Sequence, residues 1–236
     1  MEPRQVAAGQ GWQWIVEGFE LFKKSPIIWV ALSIILLLIA FIAWRYIPIL
    51  GPFLLYLLWP VFVGGLMIGC QAQQNGAELE IAHLFAGFRK NTNSLVALGG
   101  INIVGNLIIG FVILVLGGGA MFGMVKGGQP DIGAMASALS GAMLALLVGL
   151  ALYVPLAMAL WFAPALAVLN DMQPVPALKS SFDACLKNII PFLIYGIALT
   201  VLSIIACIPL FLGFLVLIPV IFTSIFASYR DIYAST

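Results

Sequence analysis

The hydrophobic positions of this chain follow two rhythms that alternate three times. Across residues 11–24, Trp12, Ile15, Val16, Phe19 and Phe22 recur every three or four residues, with Gln13, Glu17, Glu20, Lys23 and Lys24 between them. That spacing lines one face of an α-helix. Aromatic residues on the face and lysines at the end suit a helix lying in the headgroup plane. Unbroken apolar runs follow, predicting crossings at about 27–44 and 53–70, joined by a tight turn at 47–52. The first rhythm returns at 77–90, with Ile81, Phe85 and Phe88 on one stripe ahead of Arg89 and Lys90, and apolar runs follow at 95–116 and 136–169. It returns a third time at 175–187, with Leu178, Phe182 and Cys185 ahead of Lys187, before apolar runs at 189–207 and 214–229.

The reading is an all-α polytopic membrane protein with six transmembrane helices. They form three repeats of an interfacial amphipathic helix plus a transmembrane hairpin, at about 11–74, 77–171 and 175–231, within a single integral membrane domain over 1–236. The turn at 208–213 resembles the turn at 47–51, and Pro219 is placed in its crossing much as Pro60 is in the second. Pro26 suits the first turn of a helix. Gly64 and Gly65 permit the close approach of a neighbour. The fourth crossing, as one straight helix, is roughly 50 Å long at about 1.5 Å per residue, so tilt, a kink at Pro155 and Pro164, or protrusion from the bilayer is expected. Residues 117–135, rich in glycine and holding Lys126, Pro130 and Asp131, are expected to form the longest loop.

Composition reinforces the class. The 236 residues are 63% hydrophobic and 8% charged, against about 25% charged in an ordinary soluble domain. Runs of roughly 20 apolar residues suffice to cross a hydrocarbon core of about 30 Å. In lipid the backbone must bond internally, and continuous rather than alternating apolar runs select helices over a barrel. The net charge of +1 leaves no basic face for nucleic acid. Of the ten Lys and Arg, Arg4, Lys23, Lys24, Arg89, Lys90, Lys179, Lys187 and Arg230 fall on one side of this topology, and only Arg45 and Lys126 on the other. The bias places both termini in the cytoplasm. Cys70, Cys185 and Cys207 form no Cys-x-x-Cys pair and read as structural thiols. The first apolar run is too long for a cleaved leader and reads as a retained anchor.

The candidate chemistry is sparse. No Asp, Glu, Lys, Arg or His lies within a predicted crossing, apart from Arg45 at one end, which argues against proton-coupled transport. Asn102 and Asn106, four apart on the third crossing, either line a polar path or bond between helices. Gly133, Ser137, Gly141, Ala145 and Gly149 make a small-residue stripe for close helix packing, inside the monomer in preference to a homodimer seam. Ile15, Phe19, Phe22, Ile81, Phe85, Phe88, Leu178 and Phe182 are the interfacial anchors. His83 is the single histidine and reads as a capping or headgroup contact. Glu78 and Glu80 belong to a solvated first turn. The glycines of 117–128 resemble no phosphate loop, since no strand precedes them and no Gly-Lys-Ser/Thr follows. No catalytic, cofactor or metal site is expected.

The opening Val6-Ala7-Ala8-Gly9-Gln10-Gly11-Trp12-Gln13-Trp14-Ile15 and the internal Leu84-Phe85-Ala86-Gly87-Phe88 resemble motifs of a family of Gram-negative bacterial polytopic inner-membrane proteins. The resemblance covers the whole chain. It implies location in the inner membrane and a multi-helix fold, and brings no catalytic or binding residues with it. The function expected is non-enzymatic: an accessory, assembly or lipid-organising protein. Its expected partners are membrane lipids and either another membrane protein or a second copy of the chain. The alternative is a small transporter or channel for a neutral or amphiphilic solute, with Asn102 and Asn106 on its path. A lipid-headgroup enzyme would have only Glu78, Glu80 and His83 to work with.

Overall fold

The computed structural model describes residues 2–48, 50–126 and 132–233, apart from the side chains of 119–126 and Ala134. Among these residues the regular structure is helical throughout. The order is α1 (Gln10–Lys23), α2 (Pro26–Tyr46), α3 (Leu50–Gln74), a 3-10 helix (Ile81–Phe88), α4 (Thr92–Lys126), α5 (Ile132–Trp161), α6 (Ala163–Leu169), α7 (Pro174–Lys187), α8 (Ile189–Cys207) and α9 (Phe214–Tyr233). Six stretches are long and apolar enough to cross a membrane, with Met135–Leu169 counting as one. Large apolar side chains such as Leu38, Phe41, Leu107, Phe111, Leu146 and Ile204 are exposed on them. Such faces need hydrocarbon rather than water as their solvent. The protein is an integral membrane protein.

Three expectations change, and the expected break near Pro164 is found. The loop expected at 117–135 is mostly helix, because α4 continues to Lys126 and α5 begins at Ile132; Pro130 and Asp131 lie outside the described residues. Glycine breaks helices in water, but is frequent in membrane helices, where competing hydration of the backbone is absent. The second amphipathic segment is a 3-10 helix rather than an α-helix. The sixth crossing runs to Tyr233, which brings Arg230 and Asp231 into its last turn. The fourth crossing stays continuous through Pro155 and is interrupted at Phe162, just ahead of Pro164.

The described chain clusters into two compact units, Met1–Gly100 with Met158–Thr236, and Ile101–Ala157. In the first, each amphipathic segment packs on a crossing that precedes it in the chain: the 3-10 helix on α3, and α7 on α6. The first described element, α1, instead packs on α9 and α8, far along the sequence. Backbone contact makes the first of these seats. A Cβ on Gly87 would stand 2.1 Å from the Val61 carbonyl oxygen, and one on Gly65 would stand 2.5 Å from that of His83. In the second unit, α4 and α5 form a hairpin in which Gly105 meets Leu156 and Gly149 meets Ile113.

The interruption at Phe162 shows how the first unit manages polar backbone in a dry interior. Pro164 has no N–H to donate and its ring crowds the carbonyl of Leu160, so the helix cannot run on undisturbed. The Phe162 N–H donates to Ser181 Oγ at 2.9 Å, and the same hydroxyl donates to the Met158 carbonyl at 2.7 Å. Ser181 is fully buried. It restores, through one oxygen, the bond that Phe162 and Met158 would have made directly. At the joint of α7 and α8, the Asn188 amide plays a comparable part: Nδ2 donates to the carbonyls of Ala184 and Arg4, and Oδ1 accepts from the Val6 N–H.

Two outcomes are expected. Ser181→Ala leaves the buried Phe162 N–H without a partner and the Met158 carbonyl with only the weak Cys185 thiol contact, which costs about 1–3 kcal/mol; thermal unfolding in mild detergent reads this as a lowered midpoint, and an unchanged midpoint refutes the splice. Burial pushes the Cys185 thiol up to about 12, so at pH 7–8 it stays protonated and a poor nucleophile. With Cys70 also buried and Cys207 exposed, maleimide should label Cys207 alone in the folded protein and all three after denaturation. Native labelling of Cys185 counts against the packing of α7.

Candidate functional site

The most elaborated site is the place where α1 enters between α8 and α9. A helix backbone can approach two others this closely only where side chains are missing, and Gly11 and Gly18 supply both openings. A Cβ on Gly11 would lie 2.1 Å from the Pro191 carbonyl oxygen, and one on Gly18 would lie 2.6 Å from the Ser224 nitrogen. Between them Trp14 is fully buried, its ring 5.2 Å from that of Phe192 and 6.0 Å from that of Tyr195. A buried indole needs an acceptor for its N–H, and Trp14 Nε1 donates to Asp231 Oδ2 at 2.9 Å. The other oxygen of Asp231 accepts from Arg4 at 2.6 Å, and the Arg4 backbone N–H donates to the Ile232 carbonyl. Glu17 and Arg230 pair at 2.6 Å beside it. These ion pairs are part-exposed, so each contributes roughly 0–1 kcal/mol and mainly fixes orientation. The burial of Trp14 stabilises the seat more than either pair does.

The other side of α1 faces an apolar trough of about 530 Å³. Trp12, Val16 and Phe19 roof it, and the halves of α8 and α9 remote from the α7–α8 joint form its walls, with Leu202 and Ile205 on one side and Val216 and Val220 on the other. Two contacts keep the trough's shape. Tyr195 and Ser224 hydroxyls bond at 2.7 Å near one end. At the other, α8 and α9 touch so closely that a Cβ on Gly213 would stand 2.6 Å from Ala206 Cα. No charged side chain lines the trough, but the Lys23 ammonium sits 5.4 Å from the centre of the Phe19 ring at its roof.

The sequence-predicted residues fall in several places. Ile15 and Phe22 are buried against protein rather than turned to a headgroup layer, while Phe19, Ile81, Phe85 and Phe88 are exposed, and Leu178 and Phe182 half-buried. Phe85 and Phe88 also pack edge-on against Phe62 of α3. Asn102 and Asn106 bond to each other within α4: Asn106 Nδ2 donates to the backbone and side-chain oxygens of Asn102 at 2.8 and 2.7 Å. In the small-residue stripe of α5, Ala145 and Gly149 are buried in the hairpin with α4, Gly141 is half-buried, and Gly133 and Ser137 are exposed. His83 caps the 3-10 helix, its Nδ1 accepting from the Glu80 N–H at 2.9 Å. Among the described residues no three His, Cys, Asp or Glu come together.

Sequence reasoning missed Trp14, Asp231 and Asn188. It gave α1 one apolar stripe, through Trp12, Ile15, Val16, Phe19 and Phe22, whereas a helix wedged between two others and bounded by lipid buries Ile15 and Phe22 together with Trp14 and leaves Trp12 and Phe19 exposed. The signal for the buried side was present in Gly11 and Gly18, seven apart and flanking Trp14. Nothing in the sequence pairs Trp14 with an acid 217 residues away.

Over 206 residues the chain is 34% identical to a protein of Burkholderia thailandensis described as a probable inner membrane protein, a match covering 84% of this chain and 74% of that one. No family model matches the chain, and no solved structure matches it. Identity at that level, sustained along most of both sequences and joined to six apolar crossings, identifies a common family: the chain belongs to the family of this Burkholderia inner-membrane protein.

Proposed function

We propose that the protein is a non-enzymatic component of the inner membrane that organises lipid at the cytoplasmic leaflet. The observation that carries this is the division of labour at α1. Its polar neighbours, Asp231, Asn188 and Arg4, are committed to bonds that hold the fold, while the surface left over is aromatic and apolar, with Trp12 52% and Phe19 42% exposed beside a trough of hydrocarbon character. A site of that composition binds or orders hydrophobic chains and offers no group to break a bond. The Burkholderia relative's description supports the location.

Both termini are assigned to the cytoplasmic side. The excess of Lys and Arg on that side of the topology supports this. So do Arg4 and Lys187 at the segment ahead of α1, where Lys187 Nζ donates to the Pro3 carbonyl. Cations gathered there meet anionic headgroups.

Extraction into native lipid discs should yield the protein with a reproducible complement of phospholipid or with a stoichiometric membrane-protein partner. Proteoliposomes of the purified protein should show neither lipid turnover nor solute flux; flux that scales with protein would transfer the case to transport. A triple change of Phe19, Phe85 and Phe182 to Ser should loosen the lipid-facing side of the amphipathic segments and raise their protease sensitivity in inverted vesicles. Unchanged protection, or cleavage only in right-side-out vesicles, contradicts the anchoring or the orientation respectively.

A further inference from the structure

We propose that the trough beneath α1 holds one acyl chain of an anionic phospholipid, with the lipid phosphate at Lys23 and Lys24. This rests on the lipid-organising reading and names its ligand. At about 530 Å³ the trough has the volume of a small-molecule site, roughly 300–1,000 Å³. It lies between crossings, so its contents come from the bilayer. Its walls are side chains such as Leu202, Ile205, Val216 and Val220, which offer a polar group nothing to bond with, and a polar ligand would lose its hydration without replacement. Water has no partners there either. The occupant is therefore hydrocarbon.

The trough is open along one side, so a two-chain lipid can place one chain inside and leave the other in the bilayer. The cationic end selects the headgroup. Lys23 stands over Phe19 at the roof and pairs with Glu20 across an exposed 2.6 Å contact, a bond weak enough to give way to a phosphate. Lys24, next to it, is exposed and has no ion-pair partner among the described residues. The Lys23 ammonium at the roof of the trough, with exposed Lys24 next to it in the chain, matches an anionic headgroup joined to its chain. The trough is built into the fold, because the Tyr195–Ser224 bond and the Ala206–Gly213 contact fix α8 and α9 at its ends.

Photo-crosslinking tests this in lipid discs, with phosphatidylglycerol carrying a mid-chain diazirine and the matching phosphatidylcholine as the zwitterionic probe. Adducts from phosphatidylglycerol are expected to concentrate within residues 12–19 and 202–220. V216W, at a part-exposed position of the wall, should fill the trough and remove them. K23Q/K24Q should keep the chain adducts but lose the preference for phosphatidylglycerol, by about fivefold for each lysine removed. These lysines are exposed, so this variant carries the test if V216W misfolds. Adducts spread evenly over exposed positions such as Ile34, Leu107 and Ile204, or undiminished in V216W, overturn the chain site. Equal labelling by both probes overturns the lysine headgroup contact. Either failure leaves the lipid content and flux measurements of the purified protein unaffected, and flux in those measurements would sink the broader reading without moving the adducts.

Discussion

A backbone amide inside a bilayer has no water to turn to, so each interruption of a crossing has to be closed by some other part of the chain. This requirement accounts for the placement of several polar side chains. Ser181 closes the gap that Pro164 forces at Phe162. Asn91 donates to the carbonyls of Ala167 and Met172 where α6 runs out, and the Tyr229 hydroxyl donates to Asn170 at the same turn. Asn188 serves the joint of α7 and α8 while holding the segment ahead of α1. Apart from the Tyr229–Asn170 bond, which joins two side chains, each is a side chain that completes the backbone of another element. The bonds that satisfy the interior are therefore also the bonds that assemble it.

The same economy explains why the chemistry of this protein is hard to see. In a soluble enzyme a buried Asp beside a Trp and an Arg invites a catalytic reading. Here Asp231 is occupied on both oxygens by Trp14 and Arg4, and its carboxylate is a fixture of the seat. Beside that seat the exposed surface of α1 is aromatic at Trp12 and Phe19 and cationic at Lys23 and Lys24. Function carried by shape and apolar surface leaves no short motif, because many combinations of Leu, Ile, Val and Phe line the same trough.

Much of the fold was legible for a related reason. A run such as residues 189–207 has one solution in lipid, and α8 has those bounds. Gly64 and Gly65 likewise read correctly as a place for a neighbour, which proves to be the 3-10 helix at Gly65. The failures come where the partner of a segment decides its form. Residues 117–126 looked like a loop because their glycines would break a helix in water, but α4 passes through them. Residues 81–88 had the stripe of an α-helix, yet His83 caps a tighter turn there and Gly87 rests on the Val61 backbone. The face of α1 was misjudged because its partners, Phe192, Tyr195 and Asp231, lie at the other end of the chain. Periodicity reports that a helix has an apolar side; it cannot report how many neighbours will share it.

The distance along the chain between α1 and its seat has a consequence for biosynthesis. A protein is made from its N-terminus, so α1 emerges long before α8 and α9 exist, and the contact of Trp14 with Asp231 spans 217 positions. Throughout that interval the helix needs somewhere else to put its aromatic face, and the headgroup layer is the available place. The amphipathic pattern that pointed to an interfacial helix thus describes the waiting state, and Gly11 and Gly18 describe the finished one. When the last crossing arrives, α1 exchanges lipid for protein on one side only. In the folded protein that single wedge ties α1 to α9 across 217 positions.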